Sequence, residues 1–263
     1  MTSTITLSCP DAIILASDRR CTIPYNDVNY EDNVDKVFRI SKLPIGVSFW
    51  GTSSFGSMDI SEHLKKFEKD FVDNTDNVDS IAQKLLNYFE SIQPYIDKKM
   101  GLHIAGYCKD GEEPYPQLRH VFHESWHQPG KFTNENSNQE YHLPTNGQRI
   151  LYTHGYDPYI ALYNGDRAIA NAYFSFLPTI YPTKRIILDK LNTDQCIGLA
   201  KLVITTTDKI LDYMHTIDQT ERIHGVKGLM IAKITTQKGF EWIENNYYLK
   251  FIKGLKAARK IRI

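Results

Sequence analysis

The opening residues of the chain combine two groups that can perform nucleophilic catalysis. Removal of Met1 would leave Thr2 with a free α-amine beside its hydroxyl. A threonine hydroxyl is a poor nucleophile at its own pKa, and an adjacent N-terminal amine can act as its general base. The ordinary pKa of that amine is about 7.7–8.0, so a useful fraction is neutral near pH 7. Thr2 would therefore supply both the nucleophile and the base.

A predicted hairpin returns a carboxylate to the level of Thr2. Residues 2–8 alternate loosely as a strand does, a Pro-Asp pair follows as a turn signal, and residues 12–17 form a second apolar strand. Antiparallel pairing of these strands would bring Asp18, sixteen residues after Thr2, back beside it.

The order of these residues resembles the start of a proteasome β subunit, in which a catalytic threonine opens the mature chain. The matching elements are Ala-x-Asp-x-Arg at residues 16–20, Asp-Lys at residues 35–36 and the glycine after the apolar strand at residues 45–50. The resemblance implies a threonine peptidase of the N-terminal nucleophile hydrolase family. It also implies the catalytic set, which is Thr2, Asp18, Lys36, Gly51 and Arg20.

The resemblance gives each later member of this set a role. Lys36 would lower the pKa of the amine and polarise the hydroxyl, and Asp18 would stabilise that buried cation. The N–H of Gly51 would face a developing oxyanion, where one donor is worth about 2.7–4 kcal/mol. Arg20 would orient Asp18 or brace the strand end. The structural alternatives are an ion pair within a sheet for Lys36, a helix-cap turn for Gly51 and a surface position for Arg20.

The second half of the family pattern departs from this sequence. The family has a serine before a glycine where this chain has His154, and an aspartate followed by a serine-glycine-glycine element where this chain has residues 218–228, which lack serine. Glu221 or Asp218 would take the place of the aspartate. His154 would supply a hydrogen bond or a proton near neutral pH, unless it is an ordinary histidine at a strand end.

The resemblance also places Phe49 and Cys21 in the substrate pocket. A bulky side chain there fills volume, and overpacked sites reject large groups at a cost of about 1–3 kcal/mol. If strand alternation carries Trp50 to the opposite face, Phe49 faces the pocket. We therefore expect small residues to be preferred before the scissile bond.

The predicted elements run as strands, two helices, strands, a helix and strands, an order typical of the α+β class. The resemblance implies the fold in full: a four-layer αββα sandwich of two antiparallel sheets flanked by helices. We expect one domain over residues 2–245, followed by a basic C-terminal helix or tail over residues 246–263. Residues 125–147 are predicted to form an exposed loop, and a helix is expected to start within residues 158–162.

Composition limits the functional classes. The 263 residues carry 31 basic and 31 acidic side chains, a formal net charge of zero, which argues against a broad nucleic-acid surface. No apolar run approaches the ~18–20 residues that span a bilayer, and the start lacks the pattern of a signal peptide. The four cysteines are scattered, which predicts reduced, packed thiols in a cytoplasmic protein. We expect no metal and no cofactor.

Three functions remain open at the level of sequence. The first is hydrolysis of a peptide or protein substrate through a threonyl ester. The second is a peptide ligase or transpeptidase, in which an amine resolves the same ester. The third is a catalytically inactive, proteasome-like scaffold. The chain could act as a homo-oligomer in each case.

Overall fold

The computed structural model describes residues 3–22, 30–41, 43–55, 58–92, 100–108, 114–123, 132–136, 161–165, 168–176, 188–217 and 228–245. The strands within these ranges are β1 (Ser3–Cys9), β2 (Ala12–Ser17), β3 (Cys21–Thr22), β4 (Tyr30–Glu31), β5 (Val37–Arg39), β6 (Ile45–Gly51), β7 (Ser54–Phe55), β8 (Met58–Asp59), β9 (Met100–Cys108), β10 (Tyr115–His123), β11 (Phe132–Asn136), β12 (Ala161–Gly165), β13 (Met230–Thr235) and β14 (Gly239–Asn245). The helices are α1 (Ile60–Phe71), α2 (Val78–Ile92), α3 (Ala168–Asn171) and α4 (Thr193–Ile217), with a π-helical turn at Ala172–Phe176 and a 3₁₀ turn at Leu188–Lys190.

Two five-stranded antiparallel sheets form the centre of the fold. The first has the strand order β12-β1-β2-β13-β14, and the second has the order β11-β10-β9-β6-β5. The predicted N-terminal hairpin is confirmed, because Thr4 lies opposite Ser17 in the β1–β2 pair. The chain is thus of the α+β class with two antiparallel sheets.

Apolar side chains lie on both faces of each sheet. One cluster joins the sheets to each other and contains Ile13, Leu15, Ala105, Leu118, Leu162, Ala232 and Ile234. A second joins the other face of the second sheet to α1 and α2. A third joins the other face of the first sheet to α3, the π-helical turn and α4. Because both faces of β1 and β2 are covered, every residue of these two strands is buried.

Side-chain caps explain where two of the helices begin. The N–H of Gln195 donates to Asn192 Oδ1 at 2.9 Å, and the N–H of Asn192 donates to Gln195 Oε1 at 3.0 Å. The same reciprocal pattern joins Asn77 and Ser80 before α2, with both distances 2.9 Å. Each pair satisfies donors that the first helical turn leaves open. No helix in the described ranges is long and apolar enough to cross a membrane.

Several predicted elements are wrong. Residues 161–165 form β12, which pairs with β1, whereas a helix was expected from residues 158–162. Ala161 and Tyr163 pack toward the helices and Leu162 toward the other sheet, so burial on both faces removes the alternation that marks a strand. The expected loop at 125–147 contains β11, which pairs with β10. The sequence also predicts that a helical segment opens at residues 51–54, whereas the small β7–β8 hairpin follows Gly51 and α1 begins at Ile60.

Candidate functional site

Asp18 follows the last residue of β2 and is completely buried. Its Oδ1 accepts the N–H of Ser3 at 2.8 Å, and its Oδ2 accepts the N–H of Arg20 at 2.9 Å. Its own N–H donates to the carbonyl of Ser3 at 3.0 Å. These bonds hold the Asp18 carboxylate against the first described residue of β1, as the hairpin spacing predicts.

Lys36 brings a second buried charge to this carboxylate. Its Nζ donates to Asp18 Oδ1 at 2.9 Å and also to the backbone carbonyl of Arg20. Both side chains of the ion pair are 0 % exposed. The expected contact between Lys36 and Asp18 is therefore confirmed. Burial raises the pKa of the Asp18 carboxyl, and the Lys36 charge and the N–H donors act in the opposite direction.

Arg20 contributes to this cluster through its backbone. Its N–H and carbonyl contact Asp18 and Lys36, whereas its guanidinium binds Asp32 through Nε at 2.5 Å and Nη2 at 3.0 Å. This two-bond contact fixes the planar guanidinium. Of the two expected roles, the side chain therefore braces the segment, and orientation of Asp18 is achieved by the main chain.

Arg19 holds the same segment from its other side. Its Nη2 lies 2.8 Å from Asp35 Oδ1 and donates to the carbonyl of Asn33 at 3.1 Å. The N–H of Val34 donates to the Arg19 carbonyl at 3.0 Å. Residues 32–35 are thus joined to the end of β2 immediately before Lys36, which directs the lysine inward.

Gly51 is the last residue of β6 and adopts a φ of +92°. This left-handed backbone favours glycine because a Cβ would crowd the neighbouring carbonyl. The strand is tied to the lysine, since the N–H of Phe49 donates to the Lys36 carbonyl at 3.0 Å. Gly51 therefore lies two residues beyond the strand position next to Lys36.

The two expected pocket residues are both buried. Phe49 is 0 % exposed, stacks on Phe38 with ring centroids 6.1 Å apart, and belongs to the core beneath α1 and α2. Its side chain therefore faces the helix-covered core, and its role in a substrate pocket stays a prediction. The reason is that odd positions of β6 point toward the helices. Cys21, the first residue of β3, is 3 % exposed.

Trp50 does lie on the opposite face of β6, as strand alternation predicts. Its Nε1 donates to His120 Nε2 at 3.1 Å. Its ring covers Gly101 so closely that a Cβ on that glycine would lie 2.5 Å from Trp50 Nε1. The indole of Trp50, the residue before Gly51, is therefore held in place by contacts with β9 and β10.

Sequence reasoning missed a row of polar contacts between the sheets. Thr4 Oγ1 donates to the carbonyl of Phe49 at 3.1 Å, Thr6 Oγ1 lies 3.1 Å from His103 Nδ1, and His103 Nε2 lies 2.7 Å from Asn164 Oδ1. We call this row the polar seam; its members are Thr4, Thr6, Ser17, His103 and Asn164. A signal was present, because Thr4, Thr6 and Ser8 occupy the even positions of β1 and alternate with Ile5 and Leu7.

Burial sets the charge state within the polar seam. His103 is 0 % exposed, and loss of hydration lowers its pKa to about 4, although its bond to Asn164 acts in the opposite direction. The imidazole is therefore neutral at physiological pH. A neutral ring has one donor and one acceptor nitrogen, which suits a partner on each side.

Four expected site residues lie outside the described residues: Thr2, His154, Asp218 and Glu221. The C-terminal segment at 246–263 also lies outside them. All four cysteines are buried and unpaired by disulfides, as expected of packed thiols. Within the part of the chain that the structure describes, no group of three or more potential ligands could hold a metal ion.

The chain matches no model of a known protein family. It also has no significant match among curated proteins.

Proposed function

We propose that the chain is an N-terminal threonine peptidase in which Thr2 is the nucleophile. One observation carries the proposal: Asp18 Oδ1 accepts hydrogen bonds from both the Ser3 N–H and Lys36 Nζ. Thr2 is covalently joined to that Ser3 nitrogen. The buried Lys36 cation and the backbone nitrogen that follows Thr2 therefore share one carboxylate oxygen.

The direction of β1 against β6 supports a role for Gly51. Thr6 contacts His103, which pairs with Ser48, and Thr4 contacts the carbonyl of Phe49. Moving toward the N-terminus of β1 therefore moves toward the C-terminal end of β6. If the strand continued by one residue before Ser3, Thr2 would lie on the same face as Thr4, because side chains alternate along a strand.

Two residues beyond Phe49 on β6 is Gly51. Two residues further along each chain, from Thr4 to Thr2 and from Phe49 to Gly51, the Thr2 side chain would reach the level of the Gly51 N–H. A backbone N–H at the same level as the nucleophile can hold the oxyanion that forms on the substrate carbonyl. This step is part of the proposal, and the contact between Thr4 and Phe49 supports it.

The reaction follows from these positions. With the bond before Thr2 cleaved, its neutral amine takes the hydroxyl proton while Oγ attacks the substrate carbonyl carbon. The Gly51 N–H stabilises the resulting oxyanion. The carbon–nitrogen bond then breaks, and the departing amine takes the proton from the Thr2 ammonium. Water, deprotonated by the same amine, attacks the carbonyl carbon of the threonyl ester. The bond between that carbon and Thr2 Oγ breaks, the acid product leaves, and Oγ takes the proton back from the ammonium.

Lys36 and Asp18 tune this chemistry. A cation near the amine lowers its pKa, so that more of it is neutral and able to accept a proton. The Asp18 carboxylate pairs with the Lys36 ammonium at a fully buried position, where a charge without a partner would be costly. The ion pair therefore acts on the pKa of the base and does not itself exchange a proton with the substrate.

We further propose that the fold is the four-layer sandwich of the N-terminal nucleophile hydrolases. The support is the apolar cluster shared by the two antiparallel sheets, with helices on their other faces. In that fold the N-terminal end of β1 would lie at the edge of the space between the two sheets, where Thr2 would contact a substrate.

Turnover of a peptide library by the purified protein tests the proposal. We expect the intact mass to show Thr2 at the N-terminus, and Thr2→Ala to abolish turnover without changing thermal unfolding. Ser3→Ala is the control, because Ser3 serves Asp18 through its backbone N–H. Full turnover by Thr2→Ala would refute the mechanism.

The same assay separates the remaining functions. Added amino-acid amides should be incorporated into product if an amine resolves the ester, as in a ligase. An acylating β-lactone should add one equivalent to Thr2 in either enzyme. Absence of both turnover and the adduct at Thr2 would support the inactive scaffold.

A further inference from the structure

We infer that Thr4 is a positioning residue whose hydroxyl holds the end of β6 against β1 and so sets the place of the Gly51 N–H. This inference rests on the proposed function. Thr4 Oγ1 donates to the carbonyl of Phe49 at 3.1 Å, and the two residues belong to different sheets. The bond lies two residues from Thr2 on one strand and two residues from Gly51 on the other.

The Thr4 hydroxyl is itself held in one orientation. Its proton goes to the Phe49 carbonyl, so Ser17 Oγ is the donor in the 2.8 Å contact with Thr4 Oγ1. The same Ser17 proton is shared with the carbonyl of Ser3, which lies 3.2 Å from Ser17 Oγ. Ser3, Thr4 and Ser17 are each at most 2 % exposed. Hydrogen bonds in such a site are stronger than in water and keep the rotamers fixed.

The Phe49 peptide is fixed from both sides. Its N–H donates to the Lys36 carbonyl at 3.0 Å, and its C=O accepts from Thr4. The first bond fixes β6 relative to Lys36, and the second fixes it relative to β1, the strand that follows Thr2. Loss of the second would let the Gly51 N–H shift relative to the nucleophile, and a shift of about 1 Å can cost roughly 100-fold in rate.

Thr6 provides a matched comparison. It lies on the same face of β1, is equally buried, and also reaches the second sheet. Its partner is His103 on β9, however, and not the backbone of β6. Removing the Thr6 hydroxyl therefore removes a similar cross-sheet bond without touching the strand that carries Gly51.

The test compares Thr4→Val, Thr4→Ser and Thr6→Val with the wild type. We expect Thr4→Val to slow acylation of Thr2 by a β-lactone, and to lower kcat on peptides, by about 10- to 100-fold with little change in KM. Thr4→Ser, which keeps the hydroxyl, should restore both rates. Thr6→Val should stay within about threefold of the wild type.

Amide hydrogen exchange gives a readout that does not depend on activity. Thr4→Val should speed exchange over residues 49–51, whereas Thr6→Val should not. If the wild type forms no adduct at Thr2, the proposed function fails, and faster exchange over 49–51 in Thr4→Val still supports the placement of β6 by Thr4. Unchanged exchange there, or wild-type acylation by Thr4→Val in an active protein, overturns the inference.

Discussion

Lys36 and Asp18 form an ion pair with no exposure to solvent, in which the ammonium lies 2.9 Å from one carboxylate oxygen. Removing two charges from water is costly, and their attraction offsets that cost only when the remaining polar atoms are also bonded. Here the Ser3 and Arg20 N–H groups bind the carboxylate, and the Arg20 carbonyl binds the ammonium. The pair is therefore sensitive to loss of either partner.

Asp18→Ala should lower the free energy of unfolding by about 3–5 kcal/mol, because it leaves the Lys36 charge buried without its partner. Urea denaturation measures this loss. Lys201→Met is the control, since it breaks the pair with Glu244 in which the lysine is 51 % exposed, and such pairs contribute about 0.2–1 kcal/mol. The double variant Asp18→Ala/Lys36→Met should recover part of the stability. Losses that simply add would contradict the coupling.

His103 predicts a loss of stability in mild acid. Its pKa is about 4 in the folded chain and about 6.5 when unfolded, so the unfolded state binds more protons between these values. The contribution is complete above pH 6.5 and is lost as the pH falls toward 4, by roughly 3 kcal/mol in all. Denaturation of wild type and His103→Gln across this range measures it. Equal slopes in the two proteins would contradict the assignment.

Gly51→Ala should cost about 1–2 kcal/mol of stability, because an L side chain is strained at a φ of +92°. We also expect a loss of about 100-fold or more in turnover, since the relaxed backbone would redirect the N–H. Gly198→Ala is the control on α4, where a Cβ has nothing within 4 Å, and it should stabilise the chain by about 0.5–1 kcal/mol. Wild-type turnover by Gly51→Ala would exclude the oxyanion role.

Phe49→Ala should destabilise the fold by about 3–5 kcal/mol, because it opens a cavity under α1 and α2. Phe71→Ala should cost less, since Phe71 is 47 % exposed. Thermal unfolding compares the two variants. A change in peptide preference by Phe49→Ala without loss of stability would instead support the pocket role expected from the sequence.

The spacing of residues within the N-terminal hairpin was sufficient to predict the position of Asp18. The hairpin places Asp18 beside Ser3 because a turn and two apolar strands fix the register. The contact between Lys36 and Asp18 could be expected because a buried cation needs a carboxylate.

Contacts between distant segments could not be predicted in the same way. His103 lies in the middle of an apolar strand, and only the approach of the two sheets brings Thr6 and Asn164 to its ring. The strand β12 could not be predicted, because it pairs with β1, a segment far away in the chain, and local sequence does not reveal that pairing. The buried position of Phe49 likewise follows from the helices packed against β6, which the spacing of residues does not reveal.

The pairing of β2 with β13 has a consequence for the biogenesis of the chain. The Lys36 N–H donates to Met230 Sδ at 3.4 Å, and these residues are separated by 194 positions. At translation rates of about 5–20 residues per second, β13 emerges roughly 10–40 s after the strands it covers. The edge of β2 that β13 covers is therefore unpaired for that time. We expect the Lys36 backbone to reach its native surroundings only after β13 has been synthesised.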